Sequence, residues 1–274
     1  MMKKLLYLVF AGLVMTSCST EELTTTDKGA FNLTVLDNSA THLGTYKGTF
    51  AAFGSAKRGT VVITITETSA TAELKFADGT STTMTGTSSD SSLSGLKQYA
   101  FNAIDGTFNF NVALDGSSPE ASAVSLTDGP GSIVLAKDTD ATPVRLATGT
   151  FGCEDCGDHP VLSDENAQNS FIWNAIFSGD GTEAGLVMTQ VSFGETWFVD
   201  NGVIFEAYDK VGLLLYNDLE GSFPFGDAGL VSWTGTQMFS VDGACIDLRG
   251  NWTLTSPSYE VTGWLKSDDS CNPL

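Results

Sequence analysis

The stretch GTVVITITETSATAELKFADG, residues 59–79, decides the fold class. Val61, Ile63 and Ile65 share one face of an extended chain, and after a polar break Ala72, Leu74 and Phe76 oppose Glu73 and Lys75. Successive side chains of a strand point to opposite faces, so an apolar period of two marks strands buried on one side. The stretch ends in Asp78-Gly79, a dipeptide that tolerates the positive φ angles of a tight hairpin.

The same pattern continues outward. Phe108, Phe110, Val112 and Leu114 alternate with Asn109, Asn111 and Ala113. Asp-Gly recurs at 78, 105, 115, 128, 180 and 242, and Asn201-Gly202 adds one Asn-Gly. No long stretch has helical spacing; residues 93–104 are the one place where a short helix is expected. The chain therefore reads as all-β and antiparallel.

A repeat organises it. Asp37–Phe50 aligns without gaps on Asp138–Phe151, six identities in fourteen: Asp37/Asp138, Ala40/Ala141, Thr41/Thr142, Gly48/Gly149, Thr49/Thr150 and Phe50/Phe151. Two related β modules in tandem are the economical reading, and antiparallel β-sandwiches are the expected architecture. The polar, proline-containing Asp138–Pro143 suits a boundary. This predicts a first β domain over 31–139 and a second over 140–274.

The N-terminus carries an address. Lys3 and Lys4 precede the apolar run Leu5–Met15, and Thr16-Ser17 stand directly before Cys18. The run has 11 residues, short of the roughly 20 that cross a bilayer as a helix, so it reads as a cleaved signal peptide. "LVMTSC" resembles the lipobox of bacterial lipoproteins. The resemblance implies removal of residues 1–17 and lipidation of Cys18, and several acyl chains would hold the protein firmly to a membrane. Ser19-Thr20-Glu21-Glu22 resembles the acidic export signals of surface-displayed lipoproteins, which implies an outer-membrane protein facing the exterior. Residues 18–30 then form a lipidated polar tether.

Charge narrows the partners. The chain has 13 Lys and Arg against 33 Asp and Glu, a net charge of −20. Loss of Lys3 and Lys4 with the signal takes this to about −22. Nucleic acid is excluded as a partner, because binding it needs cations to neutralise phosphates. At 42% hydrophobic residues in ordered runs, the chain is not of the disordered class.

The two halves differ in chemistry. All five tryptophans, Trp173, Trp197, Trp233, Trp252 and Trp264, lie in the second half, as do the four cysteines after Cys18. Aromatic faces stack on sugars and anchor interfaces, which makes Trp197, Trp233, Trp252 and Trp264 the ligand-binding candidates. Phe171, Trp173 and Phe177 follow a core pattern. In Cys153-Glu-Asp-Cys156-Gly-Asp-His159, two thiols and an imidazole are a conceivable zinc set without an evident fourth ligand. Export into an oxidising compartment favours disulfides. Of the three possible pairings, Cys153 with Cys156 and Cys245 with Cys271 is preferred.

Catalytic signatures are scarce. His42 and His159 have no evident nucleophile beside them, no nucleophile elbow occurs, and a carboxylate pair such as Glu195 and Glu206 is explained by a generally acidic surface. The loops around Asp138–Asp140 and 178–183 lack EF-hand spacing. No motif calls for a cofactor.

Gly250 and Trp252 in "RGNWTLT" resemble the G-x-W start of lipocalins and lipocalin-like bacterial lipoproteins, at the opposite end of the chain. The resemblance carries no functional residue and implies a single lipocalin-like β-barrel as the alternative to sandwiches. Two function classes remain: a non-catalytic surface module binding a glycan or another envelope component through second-half aromatics, with the first half as spacer or platform; and an accessory subunit docking on an outer-membrane protein.

Overall fold

A computed structural model describes residues 41–89, 95–157, 162–164, 168, 170–179, 185–194, 196–205, 208–211, 214–225, 229–240, 245–269 and 271. All belong to the unit Phe31–Leu274. The N-terminal address, including Cys18, and the residues His159, Glu195 and Glu206 lie outside the described residues.

The alternating stretch forms two paired strands, β2 (Arg58–Ile65) and β3 (Ala70–Phe76), each buried at every second residue. They belong to a meander with β1 (Gly44–Ala52), β4 (Ser81–Ser89), β5 (Leu96–Ala103), β6 (Gly106–Ala113), β7 (Glu120–Leu126) and β8 (Gly129–Asp138). Asp-Gly dipeptides make four of its turns, and Gly79, Gly116 and Gly129 take φ of 87°, 82° and 129°. The aspartates reinforce the turns. Asp78 accepts from the Thr80 hydroxyl at 2.6 Å and its amide at 2.9 Å, and Asp115 accepts likewise from Ser117. These bonds, the hydroxyl's first, hold both carboxyls below the usual aspartate range.

The expected helix within 93–104 is instead β5. Tyr99 and Phe101, two residues apart, point inward and pair across β6 with Phe110 and Phe108. Cross-strand aromatic packing prevails over a weak local preference.

The sheet closes. β1 pairs along its length with both β2 and β8, forming an eight-stranded barrel filled by Tyr46, Phe50, Ile63, Leu74, Phe101 and Phe110 among others. Glycines permit the curvature: a Cβ at Gly48 would lie 1.9 Å from the Val134 carbonyl oxygen, and one at Gly59 would lie 2.1 Å from that of Lys75.

The second half repeats the architecture with β9 (Val144–Ala147), β10 (Gly149–Asp155), β11 (Ile172–Ser178), β12 (Gly185–Phe193), β13 (Thr196–Ile204), β14 (Tyr208–Val211), β15 (Leu214–Pro224), β16 (Leu230–Ser240), β17 (Ile246–Thr255) and β18 (Glu260–Ser267). β9 and β10 run along β11 in one register, Ala147 opposite Ala175 and Thr150 opposite Ile172, as one strand interrupted at Thr148. β10 also pairs with β18, which closes a second eight-stranded ring, and β14 pairs with β15 outside it. Asn201-Gly202 is inside β13 rather than in a turn, and the glycine there leaves room for the Trp233 ring, which a Cβ at 202 would meet at 2.6 Å.

The all-β, antiparallel expectation is therefore met, while the expected sandwiches are replaced by closed barrels, one in each half. A period of two is common to both architectures; closure depends on whether the first and last strands meet, which alternation does not encode. The repeated Gly-Thr-Phe sits at both closing seams. Gly48 faces β8 and Gly149 faces β18, while Phe50 and Phe151 point into their respective cores. Along β3 the apolar side chains face inward and the polar ones outward, the reverse of a lipid-spanning strand.

The barrels share a buried interface. Ala136 and Val134 of β8 pack on Val144, Leu146, Ile176 and Met188. Beside them, the Gln190 Nε2 donates to Ser132 O and Oγ at 3.1 and 2.7 Å, and its Oε1 accepts from Thr49 Oγ1 at 3.0 Å and Asn174 Nδ2 at 2.8 Å. Asn174 Nδ2 also donates to Phe50 O, and its Oδ1 accepts from Gly149 N. At the periphery Arg58 makes a two-pronged ion pair with Asp268, and Lys47 pairs with Asp138 at 2.9 Å.

Candidate ligand-binding face of the second barrel

The tryptophans divide by which side of the barrel wall they occupy. Of the ligand-binding candidates, Trp233 and Trp252 are 2% and 4% exposed, inside the barrel, and neither offers a ring face to solvent. Each fills space left by glycine. A Cβ at Gly202 or Gly221 would come within 2.6 Å of the Trp233 ring, and one at Gly263 within 2.5 Å of Trp252. Their indole N–H groups are satisfied by Asp200 Oδ2 at 3.2 Å and Gly152 O at 3.1 Å. Trp173, read as core, is buried as well.

Trp197 and Trp264 point outward. Trp197 is 39% exposed and stacks on Phe53 of the first barrel, ring centroids 6.1 Å apart and 15° from parallel. Trp264 is half-buried on β18. Its ring lies over Gly152, where a Cβ would meet it at 2.4 Å, and the Lys266 ammonium sits 5.7 Å from the ring centroid. Gly152 thus lets the indole rest against the sheet.

Cross-strand register continues the row from Trp264 to Asn251, Thr234 and Glu220. A parallel row on the same face holds Lys266, Arg249, Thr236 and Asp218. Between these rows the wall is formed by Leu219, Gly235, Gly250 and Leu265, whose side chains or missing side chains face inward. From Asn251 and Arg249 to Glu220 and Asp218 these rows line an open groove of about 790 Å³, with exposed Phe205 also in its wall; Trp264 and Lys266 continue the rows one strand beyond that lining. Thr236 donates to Asp218 at 3.1 Å, and the Arg249 guanidinium is aligned by Asp247 at 3.0 and 3.1 Å. This is a set of fixed donors and acceptors beside an aromatic face, which suits a polyhydroxylated ligand.

The cysteines lie at disulfide distance in the preferred pairs, Cys153 with Cys156 and Cys245 with Cys271, at Cα separations of 5.8 and 5.5 Å. Among the described residues no cluster of three or more His, Cys, Asp or Glu is placed to hold a metal. Asp138 is committed to Lys47 and the Val144 amide. Burial first, then Lys97 and Lys137, lowers the proton affinity of His42.

Sequence reading singled out Trp264 and missed Asp218, Glu220, Thr234, Thr236, Arg249 and Asn251. Their outward direction was available from alternation with Leu219, Trp233 and Trp252, but their convergence depends on the register of four strands. No protein-family model, curated protein or solved structure matches the chain.

Proposed function

We propose that this protein is a lipid-anchored envelope lipoprotein displayed at the cell exterior, and that the outer face of its second barrel binds a glycan without catalysis. The anchor rests on Thr16-Ser17-Cys18 behind a short apolar run, and the domain order is signal peptide (1–17), tether (18–30), first β domain (31–139) and second β domain (140–274). The observation that carries the binding site is Trp264, spread over Gly152 beside the row Asn251, Thr234 and Glu220. Asp218 and Glu220 are exposed, where their carboxyl oxygens can accept hydrogen bonds from ligand hydroxyls.

Two measurements test this reading. Cys18→Ser should release the protein from membranes; membrane retention of that variant, with no acyl mass on the wild-type N-terminus, contradicts the anchor. On an array of bacterial and host glycans, the wild-type mature chain should retain a ligand, and Trp264→Ala should weaken that binding by more than tenfold, equivalent to about 2 kcal/mol. Retention unaffected by Trp264→Ala and Glu220→Ala contradicts the site.

One observation favours the second class, a docking subunit. The outward side of β13 presents Trp197, Val199, Val203 and Phe205, each at least 37% exposed, with Leu186 opposite Val203. Such a strip suits an outer-membrane protein partner. In that case Val203→Glu should abolish co-migration with an outer-membrane complex on native gels while leaving glycan retention intact.

A further inference from the structure

The end of the second barrel formed by the start of β13 and the end of β15 is built differently from the rest of the wall. β13 extends from Thr196 to Ile204 and β15 from Leu214 to Pro224, yet they pair only through Gly202–Ile204 with Leu219–Gly221. Beyond this short zipper, the Thr196–Asn201 segment has no backbone partner on β15, and Pro224 has no N–H to offer. The wall is unzipped over this part.

An apolar slot lies inside the unzipped end. It is lined by Trp173, Phe193, Phe198, Phe223, Phe225 and Trp252, with other apolar side chains behind them. Its free volume is about 30 Å³, where roughly 10–15 Å³ admits a single water, so a longer occupant must displace the rings that line it. Phe193, Phe198 and Phe225 are only half-buried. They hold one another by ring contacts at 5.2–6.3 Å, so their displacement widens the slot without breaking a backbone ladder. Trp173 is 3% exposed and its Nε1–H is buried with no acceptor among the described residues. An unmet buried donor costs about 1–3 kcal/mol. The other indoles inside this barrel, Trp233 and Trp252, are both satisfied.

We propose that this slot binds an uncharged aliphatic chain carrying a carbonyl, such as a fatty acyl ester or amide, inserted through the unzipped β13–β15 end with its carbonyl oxygen accepting from Trp173 Nε1–H. The lining supplies apolar contact and the orphan N–H supplies the one directional bond. An ionised carboxylate is disfavoured, because the slot offers no cation and the chain is strongly acidic. The site is separate from the outer groove, so neither reading depends on the other.

Methyl octanoate and octane are the probes, titrated calorimetrically into the mature chain carrying Cys18→Ser. The ester should bind at least tenfold more tightly than the alkane, and the Trp173 indole proton should move downfield in the nitrogen–proton NMR spectrum. Trp173→Phe keeps the packing and removes the donor, so it should abolish the preference for the ester. Equal affinity for both probes, binding of neither, or ester binding without a shift of the Trp173 indole proton overturns the proposal. The last measurement uses the wild-type side chain and stands even if the variant fails to fold.

Discussion

Gln190 of the second barrel and Thr49 of the first, 141 residues apart, share a buried 3.0 Å hydrogen bond at the centre of the contact between the barrels. Gln190 uses its side-chain oxygen and nitrogen together, reaching Thr49, Asn174 and Ser132. A fully satisfied buried network of this kind fixes one orientation, since any slip leaves polar atoms unpaired in a low-dielectric setting. The first barrel is therefore a structural partner of the second.

Gln190→Ala should destabilise the whole chain by about 2–3 kcal/mol, because it orphans groups on both barrels. For a unit of this size the midpoint of thermal unfolding should fall by about 5–10 °C. A change of under 1 °C would show that the contact carries no stability. By the same reasoning, a fragment of residues 140–274 exposes Ile176, Met188, Asn174 and Gln190 and should unfold at a lower temperature than the full chain.

The closing seams depend on glycine. A Cβ at Gly48 would sit 1.9 Å from Val134 O, and one at Gly149 would sit 2.3 Å from Lys266 O. Both obstacles are backbone, so the strands themselves must move. Gly48→Ala and Gly149→Ala should each cost about 2–3 kcal/mol by urea unfolding, whereas Gly54→Ala, in open space at a φ of 67°, should cost about 1 kcal/mol from backbone strain alone. Equal costs at all three positions would refute the steric account.

The two cysteine pairs should differ in weight. Cys245 and Cys271 close a separation of 26 residues, and Cys153 and Cys156 a separation of 3. Chain-entropy scaling assigns about 3.5 kcal/mol to the longer loop and about 1.6 kcal/mol to the shorter. Cys271→Ser should therefore lower stability more than Cys156→Ser in chemical unfolding under non-reducing conditions, and the reverse order would contradict the pairing.

Asp200 points into the second barrel, and burial raises its carboxyl above the ordinary value of 3.8, opposed by hydrogen bonds from the Trp233 indole and the Asn201 amide. A carboxyl raised on folding contributes stability that is present below its unfolded value and is lost as pH rises through the folded value. Asp200→Asn keeps an acceptor for Trp233 and removes the charge. The variant should unfold at a higher temperature than wild type at pH 7, with the gap closing below pH 3.8. A gap independent of pH would show that ionisation of Asp200 is not its origin.

Much of this molecule is local. Strands β2, β3 and β6 follow from a period of two, and the turns at Gly79, Gly116 and Gly129 follow from Asp-Gly. Even the sidedness of some tryptophans is local: Trp264 shares its face with polar Thr262 and Lys266, whereas Trp252 shares its face with Leu248 and Leu254. The signal for Gly-Thr-Phe as a repeated unit is also plain in the sequence, although its role at the seams is not.

What tertiary structure alone decided is the identity of each strand's neighbours. Asn174 and Gln190 lie on the outer side of β11 and β12, yet both are buried because the other barrel covers that face. Barrel closure, the groove between Glu220 and Asn251, and the unzipped end of β13 are likewise properties of register and curvature. Alternation specifies which side chains share a face through steric and solvation preferences of a few adjacent residues. Which strands meet, and what covers the outer face once they have, is set by the summed packing of residues a hundred or more positions apart, and no local pattern carries that information.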